Sequence, residues 1–314
     1  MRILKENDSS TKWIILTTLT GVFVLTARFL LSSGTFHTGL LYIAVPYCLS
    51  LCLYYLTPYK KAETWTRRFW NNLRSCLIVI LAASMFLLEG YVCLIMAMPL
   101  FLIVVVFAFF TNLIWNTHGK NSPKSYLLPA AIIIASLEGT TPEFTFNRYN
   151  EVSYTQVVDL DIDTIKEKIE SPVQFQGKRH WILTVFPMPT YVGTVDLAKG
   201  QVRKYDFVYH RWFVTNTKVG SVDVIFEKVS DRHIKTKIKD TSYIKGYMAL
   251  HGTEFKLDPI NDNQTKVTLT VSFDRTLDPI WYYQPLERFA VEKGIKYFLS
   301  EVLSKKNGEQ AHDT

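Results

Sequence analysis

The chain has 314 residues, long enough for two structural units, and its overall balance of 48% hydrophobic and 20% charged residues conceals a division. Residues 1–138 hold eleven Lys/Arg and five Asp/Glu among long apolar runs, whereas 139–314 hold 24 and 23 in alternation. The excess positive charge therefore sits in short segments between apolar runs, a pattern of membrane topology that argues against nucleic acid as a partner.

The apolar runs set the expectations for the first half. Spans are predicted over 13–31, 39–56, 75–88 and 91–115, with a shorter fifth run over 126–137. The first has no small-residue cleavage site and is followed by further apolar runs, so it reads as an anchor and not as a removable signal. Arg2, Lys5, Lys12, Lys60, Lys61, Arg67, Arg68, Arg74, Lys120 and Lys124 occupy the N-terminal, second and fourth loops, and the loops at 32–37 and 89–90 carry no basic residue. Ten against none in short loops places the N-terminus inside. Twelve helical residues in the fifth run reach only about 18 Å of about 30 Å of hydrocarbon. If that run crosses, the second half is extracytoplasmic; if it lies in the interface, the second half is cytoplasmic. Glu89 and Glu138, the acids in or at the end of these runs, reach one water boundary together only if it crosses, which favours crossing.

Cys48, Cys52, Cys76 and Cys93 all lie in or beside apolar runs, which excludes a disulfide framework or a CxxC zinc pattern. Past Pro142 the pattern changes. Residues 151–162 alternate and are β-branched, as in a strand, and Asp163 is placed to cap a helix over 164–170. The stretch 171–197, with Pro172, Pro187 and Pro189, reads as a loop or short helical pieces. Strands are expected at 201–209, 212–217, 221–229, 233–240, 253–259 and 266–274, and then a long helix with Pro285 in its first turn. On that helix Val291, Ile295, Phe298, Leu299 and Val302 form one apolar stripe. Tyr282, Leu286, Phe289 and Ala290 form a second. Strands followed by a segregated helix indicate an α+β layout on an antiparallel sheet.

Three stretches carry a resemblance: EGYVCLIMAMPL (89–100), LLPAAIIIASLEG (127–139) and HGTEFKLDPINDNQTKVTLTVSFDRTLDPIWYY (251–283). Together with the element order, they resemble the START-like (SRPBCC) superfamily and, within it, bacterial membrane-attached proteins of the polyketide cyclase/dehydrase type. That resemblance covers about residues 75–303. It implies a helix-grip domain, placed over 150–304, in which a curved sheet wraps around the long C-terminal helix and encloses a hydrophobic cavity; the apolar runs give a transmembrane helical bundle over 1–138, and 305–314 is left as a tail. A membrane-attached bacterial protein is expected in the inner membrane, and the crossing of the fifth run places the second half outside the cytoplasm.

Function follows less directly. No GxSxG, HExxH, Walker A or strand-to-helix GxGxxG motif is present, and the histidines are too scattered to suggest a metal. His210, Arg211, Trp212 and Glu254 could lie at a cavity mouth, and His210 or Glu254 is an acid–base candidate only if it faces the cavity. The aromatic residues suit a pocket for a flat or long apolar ligand, with Tyr205, Phe207, Trp212, Phe255, Tyr282, Leu286 and Phe289 as candidate lining. The expected function is binding of a hydrophobic small molecule or membrane lipid at the bilayer, with no catalytic residue, metal or cofactor. A cavity enzyme on such a substrate needs at least two polar side chains converging inside. A protein-interaction module needs a filled core.

Overall fold

The computed structural model describes residues 38–57, 64–86, 91–118, 124–186, 188–212, 215–239 and 249–303, together with 21 and 26. The chain divides into two compact units. One is Met1–Phe146 with Leu277–Tyr282; the other is Asn147–Thr276 with Tyr283–Thr314.

The first unit is helical. A π-helical turn at Leu40–Ala44 runs into α1 (Val45–Leu56), followed by α2 (Trp65–Phe86), α3 (Tyr91–His118) and α4 (Lys124–Ala135). Among the described residues one helical stretch, Met96–Thr117 in α3, is long and apolar enough to cross a membrane, with a mean hydropathy of 2.4 over its best window. The expected span 13–31 lies outside the described residues apart from helical Gly21 and Thr26. Of the others, 75–86 is the second part of a longer helix whose first turns carry Arg67, Arg68, Asn71 and Asn72, residues 87 and 88 of that expected span lie outside the described residues, and the helix of the fifth run ends at Ala135, short of 137. The polar residues join helices. Tyr47 and Thr111 hydroxyls lie 2.8 Å apart between α1 and α3, and Asn72 of α2 donates to Ser50 of α1 at 2.6 Å. Buried Arg68 donates to the Tyr54 and Thr57 carbonyls, which the end of α1 leaves without helical partners. Glu138, the acid that ends the fifth run, is tied into the helical unit. It is buried, its carboxylate accepts the Ile280 N–H at 2.8 Å, and its carbonyl accepts the Gly39 N–H at 2.9 Å. The acid serves two chain ends that would otherwise hold bare donors.

In the second unit, β1 (Tyr149–Val158), β2 (Val173–Gln174), β3 (Pro189–Val192), β4 (Val202–Trp212), β5 (Thr215–Ser230), β6 (His233–Ile238), β7 (Ala249–Asn261) and β8 (Gln264–Asp274) form one antiparallel sheet. Its order is β1-β8-β7-β6-β5-β4-β3-β2. Residues 215–217 of the strand expected at 212–217 and the strand expected at 221–229 belong to one 16-residue strand, β5, whereas Trp212 ends β4, and the proline-rich stretch supplies β2 and β3 and a 3-10 turn at Trp181–Val185. Helix α5 (Ile162–Glu170) is capped by Asp161, whose carboxylate accepts from the Thr164 N–H, and not by Asp163. Helix α6 (Ile280–Val302) begins before Pro285, which falls inside it; its first residues, to Tyr282, belong to the helical unit.

The sheet curls around the remainder of α6. Tyr205 on β4 and Phe255 on β7 are three strands apart, about 14 Å on a flat sheet. Both rings nonetheless lie within 6.5 Å of the Phe298 ring. Alternation sends Val222, Val224 and Phe226 of β5 and Val267, Leu269 and Phe273 of β8 into the same core. This is the helix-grip arrangement that the order of elements suggested.

Candidate functional site

The stripe of α6 that faces the sheet does not fill the space in front of it. Between them lies a cavity of about 200 Å³. Its walls include Phe207, Val222, Phe255 and Leu269 from the sheet, Val291, Ile295 and Phe298 from α6, and Leu183, Phe186 and Met188 from the segment before β3. Two small positions on α6 make the room. Ala290 is one. At Gly294, the other, an added Cβ would meet only Leu183 Cδ2, at 4.0 Å.

Of the expected lining residues, Tyr205, Phe207 and Phe255 are in the wall. The side chain of Trp212, at the end of β4, lies outside the described residues. Tyr282, Leu286 and Phe289 are not in the wall. Tyr282 belongs to the helical unit, where its hydroxyl donates to the Met96 carbonyl at 2.5 Å. Phe289 is 39% exposed, 5.9 Å from the His180 ring and 5.0 Å from Lys293 Nζ. The cavity thus borders the first apolar stripe of the helix and, from the second, Ala290. The physical cause is Gly294, which interrupts the first stripe.

The acid–base candidates lie elsewhere. Thr253 and Phe255 line the cavity, so Glu254 between them points to the opposite face of β7. There His233 Nε2 is 2.7 Å from its carboxylate and Lys256 Nζ is at 3.5 Å. Burial pushes the Glu254 carboxyl up, but the His233 hydrogen bond and the Lys256 charge outweigh it and hold the group below its usual value. His251, beside the bulge between Leu250 and Gly252, pairs with Asp274 at 3.0 Å. Gly252 is required in that bulge, because a Cβ would stand 2.1 Å from the Thr236 carbonyl oxygen. The side chains of His210 and Arg211 lie outside the described residues.

No charged side chain is in the described wall, and its polar side chains are Tyr205 and Thr253. The Thr253 hydroxyl is 2.7 Å from that of Thr236, a cross-strand pair. Tyr205 is stacked on Phe298, with ring centroids 6.4 Å apart. Burial raises its phenol above the usual range, and neighbouring Arg203 opposes that rise. Among the described residues no group of three or more His, Cys, Asp or Glu side chains is disposed to hold a metal ion.

Sequence reasoning assigned Phe298 to core, counted Phe186 only within the general aromatic excess, and passed over Gly294, Leu183 and Met188. Gly294 did carry a signal. A glycine near the middle of a 23-residue helix forfeits about 1 kcal/mol relative to alanine, so its presence asks for a reason.

No family model matches the sequence, and no curated protein does. Similar solved structures include an aromatase/cyclase from Streptomyces sp. R1128, at 17% identity over 49% of this chain and 91% of that one, with a TM-score of 0.32. A protein of unknown function from Staphylococcus aureus is 15% identical over 50% and 92%, with a TM-score of 0.33. Norcoclaurine synthase from Thalictrum flavum is 12% identical over 51% and 91%, with a TM-score of 0.30. At such identities the activity of one protein says nothing of the activity of another.

Proposed function

We propose that this chain is a membrane-attached binding protein whose helix-grip unit takes up a small apolar molecule in the cavity between sheet and helix. The observation that supports this reading is a wall of aromatic and aliphatic side chains without a charge. An apolar cavity of about 150 Å³ stays dry and takes up benzene, whereas drug-sized ligands need about 300 Å³ or more. A cavity of about 200 Å³ therefore suits one ring or a short branched chain. A membrane lipid would place only a segment of one acyl chain there. The enzyme reading needs two converging polar groups, and the wall offers Tyr205 alongside a threonine already paired to its neighbour.

Attachment to the bilayer rests on the apolar stretch Met96–Thr117 and on the ten-to-none distribution of basic residues among the short loops. In this proposal the first half is a transmembrane bundle with its N-terminus inside, and the second half is extracytoplasmic. Tethering keeps the cavity at a high effective concentration relative to molecules dissolved in the membrane.

Native mass spectrometry of the full chain in mild detergent tests the cavity. A small apolar molecule is expected to accompany the wild type and to be missing from Gly294→Leu, in which a side chain occupies the space. The same adduct on both proteins would contradict the proposal.

A further inference from the structure

The two edges of the sheet differ. At one, β2 is two residues long; at the other, β1 runs for ten, paired to β8 without a shift of register. Native proteins blunt an edge of that length with lysine, proline or a bulge. β1 has none of these, and its one charged residue is Glu151.

Two hydrogen bonds fix which way its backbone faces. The Arg275 N–H donates to the Arg148 carbonyl at 2.7 Å, so in this register the even-numbered residues turn their N–H and C=O groups to β8 and the odd-numbered ones turn theirs outward. Arg288 agrees, its Nη1 donating to the outward carbonyl of Glu151 at 3.0 Å. The Tyr149 N–H donates to Asn147 Oδ1, also at 3.0 Å. Beyond them the outward N–H and C=O groups of Ser153, Thr155 and Val157 have no partner among the described residues. The hydroxyls of Ser153 and Thr155 are already engaged, at 2.8 Å with Thr270 and 2.9 Å with Thr268. What the edge offers is therefore backbone alone, three donors and three acceptors repeating about every 7 Å, and that pattern fits another strand.

We propose that this strand is β1 of a second copy of the chain, running antiparallel about a two-fold axis at Thr155. Thr155 then faces its own copy and Ser153 faces Val157, with two hydrogen bonds per facing pair, so each copy's open groups satisfy the other's. Glu151 lies outside these pairs, and no charges are brought together within them. On the side toward α6, Val152, Pro285 and Phe289, the last 39% exposed, line a groove beside the edge. The same register sets Val158 of the second copy opposite Val152, an apolar side chain for that apolar groove. The assembly would be one sheet continuous through both copies.

Native mass spectrometry of the full chain in mild detergent is expected to give twice the single-chain mass of 36.3 kDa. Thr155→Pro removes an outward N–H, which an edge strand tolerates, and should halve the mass while the β-sheet circular dichroism is kept. Thr155→Lys keeps that N–H and sets two like charges against each other, and it should halve the mass as well. The register has its own test in chains whose native cysteines are replaced. Thr155→Cys should oxidise to a covalent dimer, its Cα standing about 5.5 Å from its copy. Glu151→Cys, about 27 Å from its copy along the paired strands, should not. A wild type at single-chain mass, a dimer that persists in both Thr155→Pro and Thr155→Lys, or a foreign polypeptide bound in place of the second copy overturns the inference. Equal cross-linking at 151 and 155 overturns it too.

Discussion

Gly294→Ala should make the protein more stable. In a helix interior, alanine is favoured over glycine by about 1 kcal/mol. The new methyl would lie at 4.0 Å from its nearest neighbour, Leu183 Cδ2, an ordinary contact with no clash. Burying it in an apolar cavity adds up to about 0.8 kcal/mol. The sum is a gain of about 1–2 kcal/mol, read as a rise in melting temperature of about 2–4 °C per kcal/mol for a unit of this size. The assay is thermal unfolding of the full chain in detergent, followed by the β-sheet circular dichroism. Gly252→Ala is the control: its Cβ would stand 2.1 Å from a backbone carbonyl oxygen, so it should melt lower. If Gly294→Ala also melts lower, the space beside Gly294 does not exist and the account of the cavity fails.

Arg203→Met should cost about 3 kcal/mol or more, because it strands the carbonyls of Ile169, Ser171 and Gly193; chemical unfolding would measure it, and a loss below about 1 kcal/mol would contradict the role given to that side chain. Glu254, held below the usual 4.5 in the folded chain, stabilises it above that pH, and this contribution is lost as pH falls through the folded value. Glu254→Gln should therefore flatten the decline in melting temperature on acidification from about pH 6 to pH 3, and an unaltered decline would refute the pairing with His233. With the native cysteines replaced, Ala62→Cys should resist impermeant thiol reagents in intact cells. Protease added to spheroplasts should remove residues beyond about 140; labelling at 62 would overturn the orientation, and protection of the second half would leave four spans with that half in the cytoplasm.

Much of the second unit was legible because its cause is local. The alternation in 151–158 and 266–274 and the stripe Val291, Ile295, Phe298, Leu299 and Val302 each declare a buried face. The joining of 215–217 with 221–229 into β5 was not legible, since a glycine such as Gly220 reads as a break in sequence although the pairing of β4 with β5 runs through it without a shift. The cavity was legible only as an excess of aromatic residues. Its position depends on a void between two surfaces, and a void has no residue of its own; Gly294 marks it only once the sheet is known to lie opposite. Tyr282, Leu286 and Phe289 were assigned to it because a helical wheel does not say whether an apolar patch lines a pocket, packs elsewhere as Tyr282 does, or stands exposed as Phe289 does. Glu254 looked like a candidate acid until the parity set by Thr253 and Phe255 put it on the far face. Arg203 reads in sequence as one more solvated charge on a strand, and its burial is a property of the carbonyls at the end of α5 that gather around it.

The most direct test of the cavity is xenon, which enters dry apolar spaces of this size without needing a hydrogen bond. Crystals of the protein held under xenon pressure should show an anomalous peak bounded by Phe298, Ile295, Gly294 and Phe207, and the peak should vanish in Gly294→Leu. Xenon absent from that position in the wild type, or unmoved by the substitution, would mean that sheet and helix close on each other and that the unit holds no small molecule there.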